Sequence, residues 1–222
     1  AIATTIFPQF SRWDAENAKN KIESIIPIAI LPALLIVVPA FIGVAILSQD
    51  ILKILFSAEF TMASLALVIL TGEKIPQAIH IVLGRSLQAI DRPDLAAYAT
   101  IISVLLNLVL NVAFIWQFGI AGAALATALS FVVNTILHAY YLNRYIDINF
   151  PVREALWSVF ASIVMGIAVY IVRSVFKPTS IIDLLAIVIL GGVTYAIIAL
   201  IYTPIRSQVW ELIGPEMSKR IP

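Results

Sequence analysis

Five side chains able to bind or neutralise a polar ligand, Glu73, Lys74, Gln77, His80 and Arg85, sit together in otherwise apolar chain, within residues 60–84 and just beyond. On a helix with 100° per residue, Glu73, Gln77 and His80 fall with Gly84 and Gln88 in an arc of about 80°. Lys74 and Arg85 flank that arc together on one side. A charged group near a bilayer centre costs about 2.5–3.5 kcal/mol on insertion scales, so such groups turn to a bundle interior or an aqueous cavity. One reading is therefore a cavity lining that contacts a polar or anionic substrate. The other is an internal Glu73–Lys74 ion pair that locks helices together. Adjacent residues stand about 100° apart on a helix and pair poorly, which favours the lining and leaves each charge seeking another partner. Lys74→Ala separates the two: export lost at unchanged abundance for the lining, folded protein lost for the ion pair.

Two gentler polar stripes follow. Thr100, Ser103, Asn107 and Asn111 share one helical face. Asparagines at this spacing suit hydrogen bonds to a neighbouring membrane helix, worth about 0.6–2 kcal/mol, either as packing or as substrate contact. Thr127, Asn134 and His138 form the third stripe, with His138 expected at the membrane interface rather than in a proton relay.

Six long apolar runs position these groups. Residues 25–47, 95–116, 118–142, 155–172 and 184–203 contain no Asp, Glu, Lys or Arg, and residues 60–84 are interrupted only by Glu73 and Lys74. About 20 mainly apolar residues cross the ~30 Å hydrocarbon core as a helix. In lipid the backbone must satisfy its own hydrogen bonds, so each run is a helix. Hydrophobic residues make up 61% of the 222 and charged residues 12%, about half the usual charged share of a soluble domain. The fold class is an all-α polytopic membrane protein with six transmembrane helices.

Pro27, Pro32 and Pro39 lie in the first run, where each removes a backbone hydrogen bond and tends to kink the helix. Gln117 and Gly119 separate the third and fourth runs so briefly that a tight helical hairpin is expected. Small residues crowd beside it (Gly119, Ala121, Gly122, Ala123, Ala124, Ala126, Ala128), which lets backbones approach. The apolar start, residues 1–10, reads as the last turns of an upstream helix, so the chain is expected to be the C-terminal portion of a longer protein.

Lysine and arginine counts set the orientation. Arg12, Lys19, Lys21, Arg85, Arg92, Arg144, Arg153, Arg206, Lys219 and Arg220 fall on one side, and Lys53, Arg173 and Lys177 on the other. Both ends of the chain are expected in the cytoplasm, and the protein in the cell membrane. A net charge of +1 gives no sign of a nucleic-acid partner. No cysteine is present, which excludes disulfides, thiolate metal sites and cysteine nucleophiles. Two histidines are too few for a metal site without carboxylates. No nucleophile elbow, zinc-protease helix or phosphate-binding glycine loop occurs. The expectation is a protein without cofactor or metal, and not an enzyme.

Three stretches carry a resemblance. Residues 84–95 (GRSLQAIDRPDL) with the asparagine-bearing LLNLVLNVAF after them, residues 118–131 (FGIAGAALATALSF), and residues 5–13 (TIFPQFSRW) resemble the C-terminal lobe of Wzx-type lipid-linked oligosaccharide flippases. That family is part of the superfamily that includes the multidrug and toxin extrusion transporters. The resemblance covers most of residues 1–142 and is little more than hydropathy beyond. It implies 12 to 14 spans in two pseudo-symmetric lobes, with the six runs here as spans nine to fourteen. Residues 1–24 would then be the end of a preceding span and a cytoplasmic linker, 25–142 the C-lobe helices, 143–203 two additional C-terminal helices, and 204–222 a cytoplasmic tail. The implied substrate is a polyprenyl- or dolichyl-diphosphate-linked glycan, moved by alternating access against the N-terminal lobe of the same protein within the bilayer. Lys74 and Arg85 would then face the diphosphate, and Glu73, Gln77, Asn107 and Asn111 the sugar hydroxyls, with His80 on the same lining. Two rivals remain: a cation exporter using Glu73 as the coupling carboxylate, and a membrane scaffold whose polar groups only join helices.

Overall fold

The computed structural model describes the backbone of residues 15–213 and the side chains of residues 19–210. The features expected in residues 1–14 and 214–222, Arg12, Lys219 and Arg220 among them, lie outside the described residues. Helix α1 runs from Ala15–Leu55 and contains all three prolines. It starts ahead of its apolar run because residues 15–24 hold neither proline nor glycine to stop it. Ile22, Ile26, Ile30 and Leu34 recur every four residues along it and are all buried, so one stripe of α1 forms a continuous seam.

A 3-10 helix, Ala58–Ala63, leads into α2, Ser64–Gly72, and α3, Lys74–Ala89. The second run keeps helical dihedrals through Glu73, with φ of −60° and ψ of −23°, and loses backbone hydrogen bonding only locally there. Pro76 has no N–H to offer the carbonyl of Gly72, and it lies in the first turn of α3, where proline is tolerated. Helix α4, Pro93–Leu142, spans 50 residues but turns at Gly119, whose φ of 56° and ψ of −131° are non-helical, a conformation glycine adopts cheaply. The hydroxyl of Ser103 donates to the carbonyl of Ser130 at 2.8 Å, 27 residues away. A Cβ added at Gly122 would lie 2.0 Å from the carbonyl oxygen of Phe114. The two arms thus fold back on each other as the expected hairpin and make two crossings. Helices α5, Val152–Phe176, and α6, Ile181–Ile201, add two more, and the short α7, Thr203–Ile213, follows. By length and composition five described helices can cross a membrane, and the turn at Gly119 divides one of them, so the described residues make six crossings.

Two apolar cores result. One joins the first half of α1 to Val82, Leu83 and Leu87 of α3 and to Leu142 at the end of α4. The other joins Leu47 at the far end of α1 to Met165 and Val169 of α5 and Leu184 and Ile187 of α6. Leu105, Leu108, Val109 and Val112 on the first arm of α4 remain exposed, as a lipid-bathed surface requires.

Polar contacts close the two ends. At one, the Glu23 carboxylate accepts the Asp147 N–H at 3.0 Å, and Arg92 binds Asp94 at 3.2 Å and the Tyr145 hydroxyl. At the other, Arg173 pairs with Asp50, and Ser180 with Asp183 forms a capping box for α6. Lys19, Lys21, Arg92 and Arg144 belong to the first end, and Lys53, Arg173 and Lys177 to the second, the grouping expected from the sequence.

Candidate functional site

Helix α3 carries the site on two sides. At its start, the Glu73 side chain is 2% exposed and its Oε2 lies 3.3 Å from Nζ of Lys74, which is 50% exposed. The same ammonium donates to Oε1 of Gln77 at 3.0 Å. Neighbouring charges do pair here, against the expectation from ideal helix geometry: Glu73 is the joint between α2 and α3, and the four-carbon lysine stem reaches back over it. The second carboxylate oxygen of Glu73 is buried without a hydrogen-bond partner. The carboxylate is thus locked inside while its cation remains at the surface.

Three turns further on, exposed Arg85 donates from Nη1 to Oε1 of Gln88 at 3.1 Å. Among the described residues it has no carboxylate partner. Lys74–Gln77 and Arg85–Gln88 are the same device, a cation holding an amide three residues on. They repeat after eleven residues, about 16 Å along one side of the helix. Their i, i+3 spacing is visible in the sequence, yet the polar arc alone does not single them out.

The adjoining face of α3 packs on the second arm of α4. The ring centroid of His80 lies 4.6 Å from that of His138, with the planes at 86°, and 6.0 Å from that of Phe131. Thr135 donates to the Pro76 carbonyl at 2.9 Å. His138 is 1% exposed and hydrogen-bonds the Asn134 carbonyl through Nδ1 at 2.9 Å. Near the end of α4, it is covered by helix α3, and the absent side chain of Gly84 leaves room for its ring, whose Nε2 would lie 3.3 Å from a Cβ there. His80 lies in this seam, half-buried, rather than beside Lys74.

Asn107 and Asn111 are apart from both groups. Nδ2 of Asn111 donates to the Asn107 carbonyl and to its Oδ1, each at 2.9 Å, so Asn111 bonds back within α4 instead of reaching a neighbouring helix. The structure brings Glu73, Lys74 and Gln77 into one hydrogen-bonded group and sets Arg85 on the same side. It places His80 in a seam with His138 and leaves Asn107 and Asn111 as a separate pair. A cavity of about 240 Å³ at the end holding Glu23, lined by Pro27, Leu31, Phe150, Pro151, Glu154 and Gln208, involves none of them.

Six crossings, one of them carrying a charged joint at Glu73 and cations on its exposed side, describe a polytopic α-helical membrane protein. The family model of the lipid II flippase MurJ matches residues 1–202, and the chain belongs to that family. It is 46% identical over 211 residues to the probable low-salt glycan biosynthesis flippase Agl15 of Haloferax volcanii, covering 95% of this chain and 45% of that protein. It is 26% identical over 225 residues to the probable flippase AglR of the same organism, covering 98% and 46%. A solved structure of the lipid II flippase MurJ in an inward closed conformation superposes with a TM-score of 0.73 at 22% identity, over 90% of this chain and 42% of that one. The chain therefore spans a little under half the length of these relatives. The flippase class read from the three sequence stretches is the class these relatives share.

Proposed function

We propose that this chain forms the C-terminal half of a flippase that carries a lipid-linked glycan precursor from the cytoplasmic to the outer leaflet, as a transporter and not an enzyme. The likeness to Agl15, a probable glycan biosynthesis flippase, supports the substrate class. The observation that carries the reading is the pair of surface cations, Lys74 and Arg85, on one side of α3. A diphosphate head group crossing a bilayer needs positive charge and hydrogen-bond donors along its path, while its polyprenyl tail stays in lipid. Gln77 and Gln88 hold the cations toward that path. Asn107 and Asn111 form a second polar zone for sugar hydroxyls. Alternating access requires a second lobe to rock against, and the N-terminal half of the same protein supplies it. The burial of Glu73 and its pairing with Lys74 weigh against a cation exporter that would use this carboxylate for coupling. A scaffold has no use for an exposed cation such as Lys74 within a span.

The end holding Lys19, Lys21, Arg92 and Arg144 faces the cytoplasm in this reading. A reporter fused after Pro222 reads as cytoplasmic, and an external readout reverses the assignment. The site itself is tested in the full-length protein by glycan export. Arg85→Ala lowers export about 10- to 100-fold at unchanged abundance, the loss of one charge-assisted contact, and Arg85→Lys keeps part of it. Normal export by Arg85→Ala removes the argument.

A further inference from the structure

The seam between α3 and the second arm of α4 contains more polar capacity than helix packing needs. His138 gives a tautomer by simple chemistry: a carbonyl oxygen only accepts, so the Nδ1 facing the Asn134 carbonyl carries the proton. Its Nε2 is then a lone pair turned toward Gly84 of α3. His80 meets this ring edge-on at 4.6 Å, and its Nδ1 is buried without a hydrogen-bond partner. The side-chain oxygen of Asn134, on the same face of α4 as His138 and Phe131, is likewise buried and unpartnered. Unpaired buried polar atoms are rare in native proteins and call for an explanation. Here they are acceptors or potential acceptors gathered at one contact.

No fixed charge answers them. Helices α1, α2 and α4 pack on α3. Helix α1 has no Asp, Glu, Lys, Arg or His between Glu23 and Asp50; α2 has none; and α4 has only His138 between Asp94 and Arg144. On α3 itself, Glu73 is engaged by Lys74, and Lys74 and Arg85 are exposed. A positive charge placed between the two rings would have no counter-ion, and only water could solvate it. With both rings neutral the seam stays closed and dry.

We propose that the His80–His138 contact is a proton-binding latch: the neutral rings hold α3 against the second arm of α4, and one proton taken up by the pair, with the water that accompanies it, separates the two helices. Imidazole is the side chain whose ordinary titration lies nearest neutral pH. The helix released is the one that carries Lys74 and Arg85, so proton uptake would move both cations together. The latch stands on the seam alone and holds whatever the transported molecule is.

The test measures the distance between spin labels on α3 and α4 in the full-length protein in liposomes. Labels go at Ile81→Cys and Ile136→Cys, whose native side chains are exposed by 44% and 60%; residues 1–222 contain no competing cysteine. The expected result is a shift toward longer separations as the pH falls from about 8 to about 4. His80→Gln and His138→Gln should each abolish the shift. His80→Phe, which keeps a flat ring against His138 but cannot take a proton, should also fix the short distance and covers the case in which a glutamine variant does not fold. A parent protein with the same distances at both pH values overturns the proposal, as does a shift that survives in a folded His80 variant.

Discussion

Lys74 and Arg85 stand on the same side of one helix, each bonded to a glutamine three residues on, yet they are not equivalent. Lys74 also answers to the buried Glu73 carboxylate, whereas Arg85 binds a neutral amide and nothing negative among the described residues. One cation is divided between holding the α2–α3 joint and facing outward; the other is wholly available. Charge on a membrane helix therefore says little by itself: what lies behind it decides whether a ligand can claim it.

Removing Lys74 is the strongest way to break the comparison. In Lys74→Ala the Glu73 carboxylate keeps its burial and loses its one partner, which costs about 1–3 kcal/mol for a stranded polar group. This is less than a fully buried pair would lose, because Lys74 is half exposed. Thermal unfolding of the full-length protein should show the loss, and Glu73→Gln combined with Lys74→Ala should recover most of it. If Lys74→Ala is as stable as the parent, Glu73 does not depend on it and the two cations are alike after all.

The glutamines give a finer version. Gln88→Leu takes away the one group that holds Arg85, and export should fall about two- to fivefold, the worth of a single exposed hydrogen bond. Gln77→Leu should cost less than about twofold, since Glu73 still holds Lys74. Equal losses in a glycan-export assay at matched protein levels would show that the buried carboxylate contributes nothing to placing the lysine.

Much of this was legible in the residues. Bilayer thickness fixes span length, so six crossings followed from six apolar runs, and the hairpin followed from Gly119 amid small residues. Angular position on α3 correctly put Lys74 and Arg85 on one side. The lost backbone hydrogen bond beside Glu73 was harder to see because its cause acts at a distance: the missing N–H of Pro76 frees a carbonyl four residues back. The Glu73–Lys74 pair was hidden by treating the stretch as one ideal helix. The His80–His138 contact joins residues 58 apart in sequence; periodicity tells which face a side chain shares, but not which helix covers it. For Asn107 and Asn111 the i, i+4 spacing that suggested a neighbouring helix served a bond within their own.

The central claim is that the exposed side of α3 lines a water-filled, anion-attracting route through the full-length protein. Single cysteines along α3 in an otherwise cysteine-free protein, challenged with membrane-impermeant thiol reagents, test it most directly. Gln77→Cys and Gln88→Cys should react, while Val82→Cys and Leu83→Cys, at positions 2% and 1% exposed, should not. At position 88, beside Arg85, a negatively charged reagent should outpace a positively charged one. Cysteines at 77 and 88 as inert as those at 82 and 83 would mean that this side of the helix meets lipid or protein, and would contradict the account.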